Sequence, residues 1–230
     1  MPESRVGVLV PAYRAERTIA RVVSLIRATV DLPVVVVDDG SGDGTSEAAR
    51  SAGATVVTLE QNGGKGTALW RGMAKCREMG LDWVVTVDAD GQHLPQEISR
   101  FLPLTNSDKC GLVVGARELR PRSMPWPRVC SNRLTTALLE LQAGCRLWDS
   151  QCGYRMYRIQ AVMESKLPEQ GRFEWESSAL VRIARRGWKI ERVGISTVYE
   201  DEGSHIHPWR DTARFIRLWF GLWRVVFART

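Results

Sequence analysis

Four consecutive valines at residues 34–37 run straight into Asp38-Asp39-Gly40-Ser41-Gly42-Asp43-Gly44. A β-branched run this continuous is too apolar for a strand with one wet face, so it predicts a strand buried on both sides within a parallel sheet covered by helices. The neighbouring segments agree. Apolar runs at residues 6–11, 34–37, 55–59 and 83–87 alternate with helical patterns at 18–29, 46–52 and 65–79, giving βαβαβαβ. In such sheets ligands gather beyond the carboxyl ends of the strands. The residues found there are Pro11-Ala12-Tyr13, Asp38-Asp39-Gly40-Ser41, Asn62-Gly63-Gly64-Lys65 and Asp88-Ala89-Asp90, which are polar, acidic or glycine-rich where a scaffold would be apolar.

The second half is more mixed. It predicts strands at 112–116, 153–157 and 189–198, helices at 128–142 and 174–186, the latter ended by Gly187, and a mobile loop over the site at the proline-rich stretch 120–127. With 230 residues, 44% hydrophobic and 25% charged, the chain suits one sizeable core, and neither a linker nor an internal repeat divides it. Its net charge of +6 suits an anionic partner such as a nucleotide, a lipid phosphate or an acidic membrane. The five cysteines (Cys76, Cys110, Cys130, Cys145, Cys152) include no CxxC pair, which argues against a disulfide framework or a zinc site and makes a reducing compartment the default. A signal peptide is not expected from the first residues. Nor is a membrane span, because the longest apolar region, 215–228, is interrupted by Arg217 and Arg224 and falls short of the roughly 20 residues a bilayer requires.

Asp88 and Asp90 at a strand end can both reach one divalent cation, and Gln92 repeats the spacing with a carbonyl oxygen. An Asp-x-Asp is also a common turn or cap. The metal reading gains from Asp38 and Asp39 ending another strand of the same sheet, because clustered carboxylates call for compensating cations or polar groups. The segment from Asn62 to Gly66 opens a helix and offers backbone N–H groups and the Lys65 cation to a phosphate or a base edge, although it lacks the Walker spacing.

Taken in order, VPAYRAERTI, VVVVDDGSGDGT, NGGKG, VTVDADGQH, VVGAR, DSQCGYR and GRFEWES resemble glycosyltransferase family 2 of the GT-A fold, and most closely its dolichyl- or polyprenyl-phosphate hexose (mannose) synthases. The resemblance covers nearly the whole chain. It implies one GT-A domain over residues 1–230, with a mostly parallel, Rossmann-like sheet between helices. Residues 1–94 would form the nucleotide-sugar half, 95–207 a mixed acceptor-side half, and 208–230 an amphipathic final helix.

Carried onto this sequence, the resemblance implies that Pro11, Tyr13, Val37 and Asp39 hold base and ribose, with Lys65, Asp88 and Ala89 also on the nucleotide. Asp88, Asp90 and Gln92 would hold Mg²⁺ or Mn²⁺. Arg117 and Arg128, with Asn132 in place of the usual serine, would grip the phosphates of donor and acceptor, so that Asp88, Asp90, Arg117 and Arg128 form the catalytic set. Ser204 and His205 match the family's glycine-serine-lysine segment with His205 replacing the lysine, and Tyr199 stands where arginine is common. His207 and Arg210 lie near enough in sequence to compensate. Ala15 replaces a glutamate that contacts the nucleotide, and Glu16 follows one place later, leaving both UDP- and GDP-hexose open as donor.

The implied reaction is metal-dependent, inverting transfer of a hexose from a nucleotide diphosphate sugar to a membrane polyprenyl phosphate, with no nucleic acid as partner. A lipid phosphate is already ionised and needs no general base. A hydroxyl acceptor on a glycolipid or polysaccharide precursor would need one, and Glu174, Glu176 and Asp149 are the candidates. A non-catalytic nucleotide-binding module at a membrane surface is the remaining alternative. At about 100° per residue, Arg210, Arg214, Arg217 and Arg224 form one stripe of the final helix, while Ile216, Trp219, Phe220, Trp223, Val226 and Phe227 oppose it. This pattern fits an interfacial helix docking the enzyme peripherally on the cytosolic membrane face, and equally a helix covering the protein's own core.

Overall fold

The computed structural model describes residues 4–117, 126–172 and 174–196, with side chains in the helix that opens the second of these stretches described from residue 132 onward. Residues 120–125 of the loop expected at 120–127, Tyr199, Ser204, His205, His207, Arg210 and the expected final helix lie outside the described residues, as does the Arg128 side chain.

The first half follows the expected alternation: β1 (Val6–Ala12), α1 (Ile19–Thr29), β2 (Val34–Asp38), α2 (Thr45–Ser51), β3 (Thr55–Thr58), α3 (Lys65–Glu78) and β4 (Trp83–Thr86). Beyond it come the short α4 (Ile98–Phe101), flanked by 3₁₀ turns, then β5 (Cys110–Arg117), α5 (Trp126–Ala143), β6 (Arg155–Arg158), α6 (Ile159–Glu164), α7 (Glu174–Arg185) and β7 (Lys189–Ile195). The helical turns around α4 and the helix α6 were not anticipated, since each is too short to show a helical period. α5 also begins earlier than expected, with Trp126 and Pro127 in its first turn, where the missing proline N–H costs nothing.

The strands form one sheet in the order β3-β2-β1-β4-β6-β5-β7. The first four are mutually parallel. β6 runs antiparallel to both β4 and β5, and β7 is again parallel to β5, so one reversed strand joins the two halves into a continuous sheet. Each face carries a core. Leu9, Val35 and Val37 point toward α3 and α7, packing with Leu69, Met73, Trp175 and Leu180. Val8, Val10, Val34 and Val36 point the other way, toward Ile19, Val23 and Ile26 of α1. Alternate valines of a single run thus enter opposite cores, which is why the run is apolar without interruption.

The chain order 3-2-1-4 places the reversal of winding between β1 and β4, the position in such sheets where a ligand crevice forms at the carboxyl ends of the strands. The amino-terminal ends of α3 and α7 close over it. Their approach depends on glycine: a Cβ on Gly66 would lie 2.4 Å from Trp175 Cβ and 2.8 Å from the carbonyl oxygens of Gly171 and Arg172. Gly66→Ala should therefore destabilise the protein by about 1–3 kcal/mol, overriding the gain of about 1 kcal/mol that alanine brings inside a helix. Gly194→Ala, whose Cβ would meet nothing within 4 Å, should shift stability by less than about 0.5 kcal/mol. Urea unfolding of the two variants checks the pair.

Candidate active site

Asp38 ends β2 and Asp39 follows it, both as buried carboxylates, and the loop is built to satisfy them. Asp38 accepts bonds from the Ser41 backbone N–H and from the hydroxyls of Ser41 and Ser46, so it is a structural turn residue and not a member of an open acidic cluster. Asp39 accepts the backbone N–H groups of Gly63 and Gly64 at 2.9 and 2.8 Å. The two amides expected to face a phosphate are therefore directed at Asp39, because a buried carboxylate must find donors. A carboxylate has about four acceptor positions, so Asp39 retains capacity for a further donor such as the N–H of a base. Gly40 permits the close approach of this loop: its φ is +69° and a Cβ would lie 2.6 Å from the Gln61 carbonyl carbon. Tyr13 lies 45% exposed beside it, with the Arg14 guanidinium 5.3 Å from the ring centroid. Pro11 pairs with Val37 across the sheet, and the Val37 side chain is wholly in the core, so Val37 can meet a ligand only through its backbone.

Lys65, the first residue of α3, extends to Asp88 beyond β4. Its Nζ lies 2.7 Å from Asp88 Oδ1 and 3.2 Å from Glu176 Oε2 in the first turn of α7. Burial by itself would lower the Lys65 pKa, but the two carboxylates more than offset it and hold the ammonium above its usual value. For Asp88, burial works against ionisation, yet Lys65 foremost, then His93 and Arg155, keep the carboxyl below its usual range. Gly153 closes the other side, where a Cβ would stand 2.8 Å from Lys65 Nζ and 2.9 Å from Asp88 Oδ2. Asp90 is more exposed, accepts the Gln92 backbone N–H at 2.9 Å, and is pushed upward by burial and by its neighbour Asp88. Ala89 and Gln92 are half-buried beside it. His93 stacks on Tyr154 at 4.7 Å. Its Nδ1 accepts the Asp88 backbone N–H at 3.2 Å, and burial lowers its pKa.

Asp88, Asp90 and the Gln92 amide offer only oxygen, the donor set of a hard divalent cation. The site already draws a cation, since Lys65 Nζ sits on Asp88 at ion-pair distance. These residues therefore fit Mg²⁺ or Mn²⁺. Among the described residues no three His, Cys, Asp or Glu side chains gather closely enough to hold a metal unaided, so further ligands would come from water or a bound diphosphate.

Arg155 was not singled out in the sequence, although an arginine beside Met156 and Tyr157 at the start of β6 was a signal. It is 1% exposed and donates to the carbonyls of Cys152, Ser150 and Glu176 and to the Tyr157 hydroxyl. One guanidinium thus ties the 150–153 loop to α7 on either side of Lys65. The other site residues of the second half are also engaged. Arg117 binds Asp149 through two bonds of 2.7 and 3.0 Å, Glu174 accepts the Arg172 backbone N–H, and Asn132 lies half-buried on α5.

A family model described as glycosyl transferase family 2 matches residues 7–165. The chain belongs to this family. As a family 2 member it is a glycosyltransferase, and its relatives share most of its length. A UDP-N-acetylglucosamine–dolichyl-phosphate N-acetylglucosaminyltransferase of Methanococcus voltae is 29% identical, covering 87% of this chain and 88% of its own. An undecaprenyl-phosphate mannosyltransferase of Micrococcus luteus is 29% identical over 86% of both chains. Among solved structures, glucosyl-3-phosphoglycerate synthase from Mycobacterium tuberculosis, in complex with Mn²⁺, UDP and phosphoglyceric acid, shares the GT-A fold with a TM-score of 0.72. It is 24% identical, over 97% of this chain and 78% of that one.

The Lys65–Asp88 pair has a signature in pH. Asp88, with its pKa depressed in the folded state, contributes stability that is present above the unfolded value of about 3.9 and lost as pH falls through the lower folded value. Asp88→Asn should therefore flatten the acid limb of the stability profile below about pH 4. Urea midpoints measured from pH 7 to pH 2 for both proteins check this, and parallel curves would contradict it.

Proposed function

We propose that this glycosyltransferase moves a hexose from a nucleotide diphosphate sugar to a polyprenyl phosphate, with inversion and with Mg²⁺ or Mn²⁺. The names of the relatives support a lipid-phosphate acceptor. The observation that carries the choice of acceptor is that every carboxylate considered as a general base is already committed: Glu176 to Lys65, Asp149 to Arg117, and Glu174 to a backbone N–H. Taking up a proton at Glu176 or Asp149 would break an ion pair. An ionised phosphate nucleophile asks for no such proton transfer.

In this reading Asp39 and Tyr13, with the backbone at Pro11 and Val37, hold the base and ribose. Asp88, Asp90 and Gln92 would hold the divalent cation, which would supply positive charge to offset the negative charge developing on the departing nucleoside diphosphate. Lys65 adds its charge beside the diphosphate. Arg117, Arg128 and Asn132 orient the acceptor phosphate, with Ser204 and His205 completing its surroundings. Among the described residues no helix is long and apolar enough to cross a membrane. The amphipathic segment at 209–228 would dock the enzyme peripherally on the cytosolic face, where the lipid acceptor is reached.

The test is transfer of label from UDP- and GDP-hexoses to polyprenyl phosphate with Mn²⁺. A product that partitions into organic solvent and is cleaved by mild acid is expected. Asp90→Ala should lower the rate by about a hundredfold or more, while Glu174→Gln should stay within about threefold of the parent, since a contact outside the reaction costs little. An acid-stable glycoside, or loss of activity in Glu174→Gln with the fold intact, would favour a hydroxyl acceptor. The membrane arm is separate: the protein should float with anionic liposomes, and Trp219→Ser with Trp223→Ser should release it without changing UDP or GDP binding.

A further inference from the structure

Within this site, the position of Lys65 has a consequence for the order in which ligands enter. Its ammonium sits on Asp88 Oδ1 at 2.7 Å, and only 16% of its side chain is exposed. Glu176, itself 11% exposed, holds the same nitrogen from the other side at 3.2 Å. Gly153 packs so closely against the pair that a single Cβ would lie 2.8 Å from Nζ, leaving the ammonium no room to retreat on that side while a second cation takes the same oxygen. Asp90 already accepts a bond from its own loop. A bare divalent cation approaching Asp88 and Asp90 therefore meets one carboxylate whose charge is already balanced and a like charge beside it, which is repulsive at a separation of a few ångströms.

We propose that Lys65 is an exchangeable counter-cation that keeps Asp88 from binding a divalent ion until a nucleoside diphosphate arrives, making metal uptake conditional on the nucleotide. The diphosphate supplies the negative charge that the balance lacks. The ammonium then pairs with a phosphate oxygen and with Glu176, and Asp88 Oδ1 becomes available to the metal. No bond is made or broken, and charge is redistributed among four groups: Lys65, Asp88, the diphosphate and the cation. Glu176 is in this account a positioning residue, since it gives the ammonium a second anchor within reach of Asp88.

The inference rests on the metal site proposed above and is tested by binding rather than turnover. Free Mn²⁺ is followed by electron paramagnetic resonance as protein is added, alone and with saturating UDP or GDP. For the parent protein, weak Mn²⁺ binding that the matching nucleotide tightens is expected. Lys65→Met should bind Mn²⁺ alone about tenfold or more tightly than the parent, with a correspondingly smaller effect of nucleotide, because the coupling between the two ligands is reciprocal. Adding Asp88→Asn should abolish that gain. The double variant Lys65→Met/Glu176→Gln, which leaves one fewer carboxylate uncompensated, repeats the measurement should the single variant not fold.

Unchanged or weaker Mn²⁺ binding in a folded Lys65 variant would overturn the exchange while leaving the metal site standing, as would a gain that persists with Asp88→Asn. Failure of both variants to fold would also overturn it, since Lys65 would then be a fixed structural counter-ion. If the parent takes up no Mn²⁺ with either nucleotide, the metal site itself is refuted and the exchange falls with it.

Discussion

One ammonium between two carboxylates organises the structure around the crevice. Lys65 starts α3, Asp88 follows β4 and Glu176 lies in the first turn of α7, so the contact joins three separate elements of the chain. None of the three charges is well solvated, and an isolated partner would be costly to bury. The consequence is mutual dependence. The helices must bring their amino-terminal turns together above the sheet, and the glycines at 64, 66 and 153 must remain small enough to permit it. Arg155 enforces the same geometry by donating to the Ser150, Cys152 and Glu176 backbone carbonyls.

A second layer of constraint comes from the strand ends. Parallel strands that stop together leave polar groups at the same edge, and here most are paired within the chain: Asp38 with two serines, Asp39 with two glycine amides, Arg117 with Asp149. A site so fully paired is held in shape before any ligand arrives, which is the preorganisation that electrostatic catalysis requires. In the proposed function, ligands would enter by exchanging partners more than by filling vacant valences, and Asp90 and Tyr13, the more exposed members, would be met first.

Family membership and geometry bear on different parts of the molecule. The family model ends at residue 165, whereas Glu176, one of the two anchors of Lys65, and β7 lie beyond it. Residues 7–165 are thus the part most directly tied to the family, while the contacts of α7 and β7 are specified by this chain's own packing. Around that boundary, bidentate pairing of Arg117 with Asp149 and the Arg155 bonds that couple α7 to the 150–153 loop fix where the charges of the second half sit.

Much of the fold was legible because it follows from local pattern. The valine run at 34–37, with neighbouring residues entering opposite cores, could only be an interior parallel strand, and the alternation of apolar runs with helical periods dictated the order of the first seven elements. The Asp88-Ala89-Asp90 turn and the Asp38-Asp39 turn were visible for the same reason, as acidic residues at predictable strand ends. What the sequence could not specify is which charges meet. Lys65 and Glu176 are separated by more than a hundred residues, as are the opposed backbones of Gly66 and Gly171, and no periodicity encodes such a distance. The reversed insertion of β6 between β4 and β5, the burial of Arg155 as a hydrogen-bonding hub, and the assignment of the Gly63 and Gly64 amides to Asp39 were all decided by tertiary structure. The physical reason is common to them: local pattern determines whether a residue is buried, but a buried charge or amide takes whichever partner the packed chain places within bonding distance.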